Sequence, residues 1–314
     1  MKVACLQFAP QLGEFAHNVR RADEILDSSQ PGRLHYLVLP EMAFSGYNFP
    51  SLEAIIPFLE PTAAGPTTQW AQATARRFKC HVTVGYPETT GEHYYNSAVT
   101  VSPAGLVIAN YRKSFLYYTD MIWADEGDYV QHDELVSQFT TSRNPTFPPK
   151  PPSTNIHPGF FAGPLGALGN AAMGICMDIN PYKFLPGIWE KYEFANHCLT
   201  VSAPLIVLSM AWLTRLLPRE LSIDPQMPDH ETLAYWIERF RPLVEAARED
   251  PTILILANRC GVEGDHKTEV AYAGSSCVMC IQGGKVKMYE MLGKGEEKLL
   301  VVNTADKPKY AVTQ

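Results

Sequence analysis

An α/β fold, with layers of sheet covered by layers of helix, is what this sequence predicts, and three observations predict it. The first forty residues run strand, helix, strand; short apolar runs then keep alternating with amphipathic stretches; and no linker divides the chain into two self-sufficient cores. Taken in order, residues 2–10 (KVACLQFAP) are apolar and read as a strand, 14–29 (EFAHNVRRADEILDSS) have helical periodicity, and 35–42 (HYLVLPEM) are a short apolar strand. A helix over 67–78 and a strand over 81–88 repeat the pattern, and a hairpin follows, 94–103 and 106–115, turning at Pro103-Ala104-Gly105. Residues 143–158 (RNPTFPPKPPSTNIHP) hold too much proline to join a helix or a central strand and read as a long loop. Beyond it come a strand pair within 164–176, a helix around 187–198, a buried strand at 205–212 and a second irregular stretch at 214–230. One strongly amphipathic helix over 229–250 and strands near 252–261, 270–281, 285–292 and 298–304 complete the chain. Residues 1–314 therefore count as one domain, with irregular insertions near 143–158 and 214–230.

Composition narrows the function. The 314 residues, 46% hydrophobic and 19% charged, suffice for a large core. A net charge of −7 without any long basic run leaves no electrostatic footprint for nucleic acid. Nowhere do about 18 apolar residues follow one another, and the apolar run at residues 3–9 is too short for the core of a signal peptide, so a cytoplasmic, non-membrane protein is expected. Seven scattered cysteines, an odd number, point to reduced thiols. Cys277 and Cys280 form a C-x-x-C without the second pair or histidines that zinc requires, and Ala234 spoils an H-E-x-x-H at His230-Glu231. No metal and no organic cofactor is expected.

Three residues stand apart because each follows a strand: Glu41 after HYLVLP, Lys113 at the end of LVIANYRK, and Cys176 at the end of GNAAMGIC. A cysteine that only packs needs no exit into a polar turn, yet Cys176 is followed at once by Asp178, Asn180 and Pro181. A thiol that attacks needs such an exit, nearby backbone N–H groups and a partner to take its proton. Each residue alone has an ordinary explanation: a solvated loop acid, a surface lysine, a core filler.

Jointly, in this order, they resemble the nitrilase superfamily of carbon–nitrogen hydrolases. The likeness runs nearly end to end, from ACLQFAPQLGEFAHN through LVLPEMAFSGY and YRKSFLYYTD to ANRCG and AGSS. It implies a four-layer α-β-β-α sandwich of the nitrilase type, with Glu41, Lys113 and Cys176 around one pocket. Cys176 would attack a carboxamide, Glu41 would carry protons, and Lys113 with the backbone N–H of Met177 would hold the oxyanion. Glu126 in WADEG is the expected supporting acid, with Asp120 as the weaker candidate.

Within the superfamily the sequence resembles the fungal protein N-terminal amidases, through YRKSFLYYTDMIWADEG, GICMDINPYKF and SMAWL. That likeness implies deamidation of N-terminal Asn or Gln on peptides or proteins, a step of N-degron processing. Asp178, two residues past the thiol, is expected to pair with the substrate's α-ammonium, and Asp120 and Trp212 are expected to contact substrate; an Asp178 that merely caps the elbow is the competing reading. The superfamily's frequent dimers make a homodimer an expectation. The alternatives are a hydrolase of small aliphatic amides or N-carbamoyl compounds and, from another class, a catalytically silent interaction module. A papain-like protease would need a histidine motif that is absent.

Overall fold

The computed structural model describes residues 1–127, 159–185, 187–264 and 269–312. The proline-rich stretch 143–158 lies outside the described residues.

Two seven-stranded sheets form the frame. In the first half of the chain, β1 (Lys2–Gln7), β2 (Tyr36–Val38) and β3 (His81–Thr89) pair in parallel, and β4 (Tyr94–Val101) and β5 (Val107–Arg112) extend them as antiparallel neighbours. In the second half, β6 (Phe161–Pro164), β7 (Asn170–Ile175), β8 (Leu205–Met210), β9 (Thr252–Asn258), β10 (Cys277–Gln282) and β11 (Lys285–Met291) build the other sheet, whose centre β7-β8-β9 is parallel. The chain then returns: β12 (Lys298–Asn303) pairs antiparallel with β1 in the first sheet, and β13 (Tyr310–Val312) edges the second.

Strand alternation sorts the core. In β1, Val3 and Cys5 point into a core shared with Ile175, Val207 and Ile255 of the other sheet, while Ala4 and Leu6 face the opposite way. There they meet Ala22, Ile25 and Leu26 of helix α1 (Phe15–Ser29) and Ala71 and Ala75 of α2 (Pro66–Phe78). Pro66 suits the first helical turn, where its missing N–H removes no bond. The second sheet is packed by Phe194 and Cys198 of α3 (Glu193–Thr200) and by Leu233 and Trp236 of α4 (His230–Arg239). The result is an α-β-β-α sandwich.

Two departures from the sequence expectation have a direct backbone cause. The helix expected over 229–250 breaks at Phe240 into α4 and a short second helix, Arg241–Glu245, because Pro242 cannot donate into the preceding turn. The strand expected over 270–281 splits into Val270–Ala273 and β10, since Gly274 (φ +53°) and Ser275 (φ +57°) adopt left-handed conformations that no strand accommodates. Among the described residues, no helix is long and apolar enough to cross a membrane.

Candidate functional site

A cavity of about 380 Å³ lies where segments leaving both sheets converge: Tyr47 and Tyr117 come from the first half of the chain, and Cys176, Met177, Ala211 and Trp212 directly follow strands of the second sheet. From the first sheet, the chain leaves β2 through Leu39 and Pro40 and turns sharply at Glu41–Met42, where Met42 has φ +51°. Gly85 of β3 permits this close passage, since a Cβ there would lie 2.6 Å from the Cα of Glu41. Lys113 follows β5, with its N–H donating to Asn96 O at 2.8 Å. From the second sheet, Cys176 follows β7 at φ +42° and opens the tight turn Cys176–Ile179. That strained exit tips the thiol to the cavity wall, where it is 7% exposed.

Behind the thiol lies a fully buried polar set. The ammonium of Lys113 donates to Glu41 Oε1 at 2.7 Å and to Asp120 Oδ2 at 2.5 Å. Asn96 Nδ2 donates to both carboxylates, at 2.6 Å to Glu41 and 3.0 Å to Asp120. The N–H of Ala211 donates to Glu41 Oε2 at 2.7 Å, and that of Tyr117 to Asp120 Oδ2 at 3.0 Å. An ammonium carries three N–H donors, so Lys113 keeps one beyond its two carboxylates.

Burial governs the proton affinities here. It raises the Glu41 carboxyl above the ordinary range, Lys113 opposing and Asp120 adding to the rise. Burial would lower Lys113, but the charges of Asp120 and Glu41 outweigh it and hold the ammonium protonated. The Cys176 thiol is pushed well up by burial and then by the Glu41 carboxylate, with Lys113 pulling the other way. At rest the thiol therefore keeps its proton, close to a carboxylate able to accept it.

Three sequence expectations need correction. Asp178 does not face the cavity: its carboxylate accepts from the N–H groups of Ile175 (2.7 Å), Ser114 (3.1 Å) and Phe115 (2.8 Å) and from the Tyr111 hydroxyl (2.8 Å). It caps the elbow, and no bonding capacity points at a substrate. Burial raises it to about 6, with these bonds opposing. Glu126 is not the supporting acid either, because it sits at the surface bonded to Tyr182 and Lys183. Asp120 is the acid paired with Lys113, and it is enclosed behind that ammonium rather than among the residues lining the cavity, where a substrate contact was expected.

Trp212 lines the cavity, as does Met177 beside the thiol. So do residues to which the sequence reading gave no role. Asp229 is the N-cap of α4, accepting from Thr232 N–H and the Thr214 hydroxyl, and Glu231 pairs at 2.6 Å with Arg215. Tyr235 and Trp212 pack with ring centroids 5.4 Å apart against the same wall. The N-cap signal of Asp229 before an amphipathic helix was readable; its presence at the cavity was not. Asn96 was visible only as a polar break in an apolar strand. Among the described residues no group of three or more His, Cys, Asp or Glu could hold a metal.

A thiol on a strained elbow beside a buried carboxylate–ammonium–carboxylate set, between two sheets of an α-β-β-α sandwich, defines the class of thiol-dependent carbon–nitrogen hydrolases. Residues 2–180 match the family model "Carbon-nitrogen hydrolase", and the chain belongs to that family. It is 33% identical to the protein N-terminal amidase of Schizosaccharomyces pombe over 320 residues, covering 96% of this chain and 98% of the relative. With the protein N-terminal amidase of Saccharomyces cerevisiae the identity is 31% over 68% of this chain but only 45% of the relative. Among solved structures, an N-terminal amidase with an Asn-Glu-Ala peptide superposes with a TM-score of 0.76 at 22% identity, covering 96% of both chains. An amidase of the nitrilase superfamily from Nesterenkonia AN1 gives 0.62 at 19%, covering 98% of this chain and 91% of that one. At such identities the structures speak for the fold.

Proposed function

We propose that this chain is a protein N-terminal amidase, hydrolysing the side-chain carboxamide of an N-terminal Asn or Gln. The observation that carries it is the pairing, within one cavity, of an amide-cleaving floor with an anionic, aromatic mouth. Asp229, Glu231 and Arg215 leave the mouth one negative charge in excess, and the faces of Trp212 and Tyr235 add to its preference for a cation. A substrate with a neutral carboxamide at one end and an α-ammonium at the other matches both parts. The identity to the fission yeast amidase over nearly the full length of both chains supports the same reading.

The chemistry follows from the geometry. Glu41 takes the Cys176 proton as sulfur bonds to the carboxamide carbon, and the oxygen becomes an anion. The third N–H of Lys113 and the N–H of Met177 donate to that oxyanion, which exists only along the reaction path. The C–N bond breaks as Glu41 returns the proton to nitrogen, and ammonia leaves a thioester. Water then gives a proton to Glu41 and attacks; the carbon–sulfur bond breaks, and the proton passes back to sulfur. Asp120 and Asn96 hold Lys113 and Glu41 in register throughout. The product is an N-terminal Asp or Glu.

Mass spectrometry of peptides differing only at their ends tests this. Peptides starting with free Asn or Gln should gain about one dalton and release ammonia. N-acetylated copies, or the same Asn placed second, should not react. Equal turnover of acetylated peptides or simple aliphatic amides would assign the cavity to small amides instead.

A further inference from the structure

Beyond the catalytic set lies a second buried ion pair. Arg259 and Glu263 are both enclosed, with Arg259 Nη1 2.7 Å from Glu263 Oε1. Arg259 Nη2 also reaches Pro10 O at 2.5 Å, and its guanidinium lies 3.9 Å from the centre of the Tyr272 ring. Burying such a pair gains little stability over apolar residues of the same size, so its presence calls for another reason.

That reason is visible in what Glu263 holds. Its carboxylate accepts the N–H of Tyr47 (3.1 and 3.2 Å), the N–H of Asn48 (2.7 Å) and the hydroxyl of Tyr272 (2.7 Å). The preceding Gly46, at φ +79°, has no room for a Cβ, which would lie 2.7 Å from Glu263 Oε1. The Tyr47 ring so placed lines the cavity and stands 5.6 Å from the Lys113 ammonium. Tyr272 reaches the other wall: it bridges to Leu213, and its neighbours Ala271 and Ala273 bond to Thr214 and Trp212. One carboxylate thus ties the Tyr47 wall to the Trp212–Leu213 wall.

We propose that Glu263, held by Arg259, is a positioning residue that sets the width of the cavity by fixing Tyr47 on one wall and, through Tyr272, Trp212 and Leu213 on the other. The inference deepens the amidase reading, but its primary test needs no substrate. Cys176 is the most accessible of the seven cysteines, so alkylation confirmed at that residue by mass spectrometry measures entry to the cavity. In Glu263→Gln the rate of N-phenylmaleimide relative to iodoacetamide should rise about tenfold as the walls part. Tyr272→Phe, which removes one donor and keeps the ring, should move the ratio the same way by about threefold. With an N-terminal Asn peptide, KM should rise about tenfold in Glu263→Gln while kcat changes less, since Glu41, Lys113 and Asp120 are anchored separately. A purely structural pair would lower the melting temperature and leave the ratio and KM of the folded protein unchanged. Wild-type ratios in whichever variants fold would overturn the proposal. A shifted ratio in a protein inactive on every Asn and Gln peptide would uphold it and reject the amidase reading.

Discussion

The floor and the mouth of the cavity use the same functional group to opposite ends. Behind the floor at Cys176, Glu41 and Asp120 are enclosed and share one ammonium and one amide donor, so their charge acts through a low dielectric and their geometry cannot drift. At the mouth, Asp229 is mostly covered but singly bonded at each oxygen, and Glu231 is exposed in a surface ion pair with Arg215. The floor suits proton transfer, which needs fixed distances and a shifted proton affinity. The mouth suits recognition, in which a charge exchanges water or an internal partner for an incoming cation. Substitutions in the two regions should therefore separate kcat from KM.

Cys176→Ala is the most damaging change: turnover should fall about 10⁴-fold or more, with the fold intact because the side chain borders an open cavity. Retained turnover would remove the thiol from the mechanism. Lys113→Ala should cost about 10²–10³ in kcat. It also leaves two buried carboxylates without their cation, a loss of about 3 kcal/mol in stability. Without the opposing ammonium, burial would push the Glu41 carboxyl further toward its protonated form, so the deficit should shrink as pH falls, which thermal melts across pH would reveal. A deficit that grows toward acid would show that Lys113 is not their common partner.

Next in size is the mouth. Asp229→Asn should raise KM for free-amine Asn peptides about 10- to 100-fold with little change in kcat, and narrow the preference over acetylated peptides. A fall in kcat alone would place Asp229 with the floor. The wild-type pH profile sharpens the contrast further. Glu41 must be ionised to accept the thiol proton, and its carboxyl is raised by burial, so kcat/KM should decline on the acid side at a pH above the ordinary glutamate value of about 4.3. The smallest effect belongs to Glu126→Gln. This carboxylate sits in a surface pair with Lys183, so activity should stay within about twofold and stability within about 1 kcal/mol. A large loss would return Glu126 to the role of supporting acid.

Much of this was legible in the chain itself. Short continuous apolar runs in KVACLQ and LIVLSM located β1 and β8, the helical pattern located α1, and the strand-to-turn passage at GNAAMGICMDIN marked Cys176 as unusual. These are local properties: periodicity and turn chemistry act over a few residues, so the sequence by itself determines them. Which acid stands beside Lys113 is not local. Asp120 and Glu126 lie six residues apart in one loop, and Asp120 is chosen because the loop's path brings it to Lys113 and to Asn96 of the neighbouring strand. Asp178 offered a carboxylate close to the thiol in sequence, but the backbone donors of Ser114 and Phe115, more than sixty residues away, claimed it. Asp229 reached the cavity for the converse reason, through the packing of α4 on the second sheet. A carboxylate's role depends on what surrounds it, and those surroundings are assembled from distant segments only when the two sheets close.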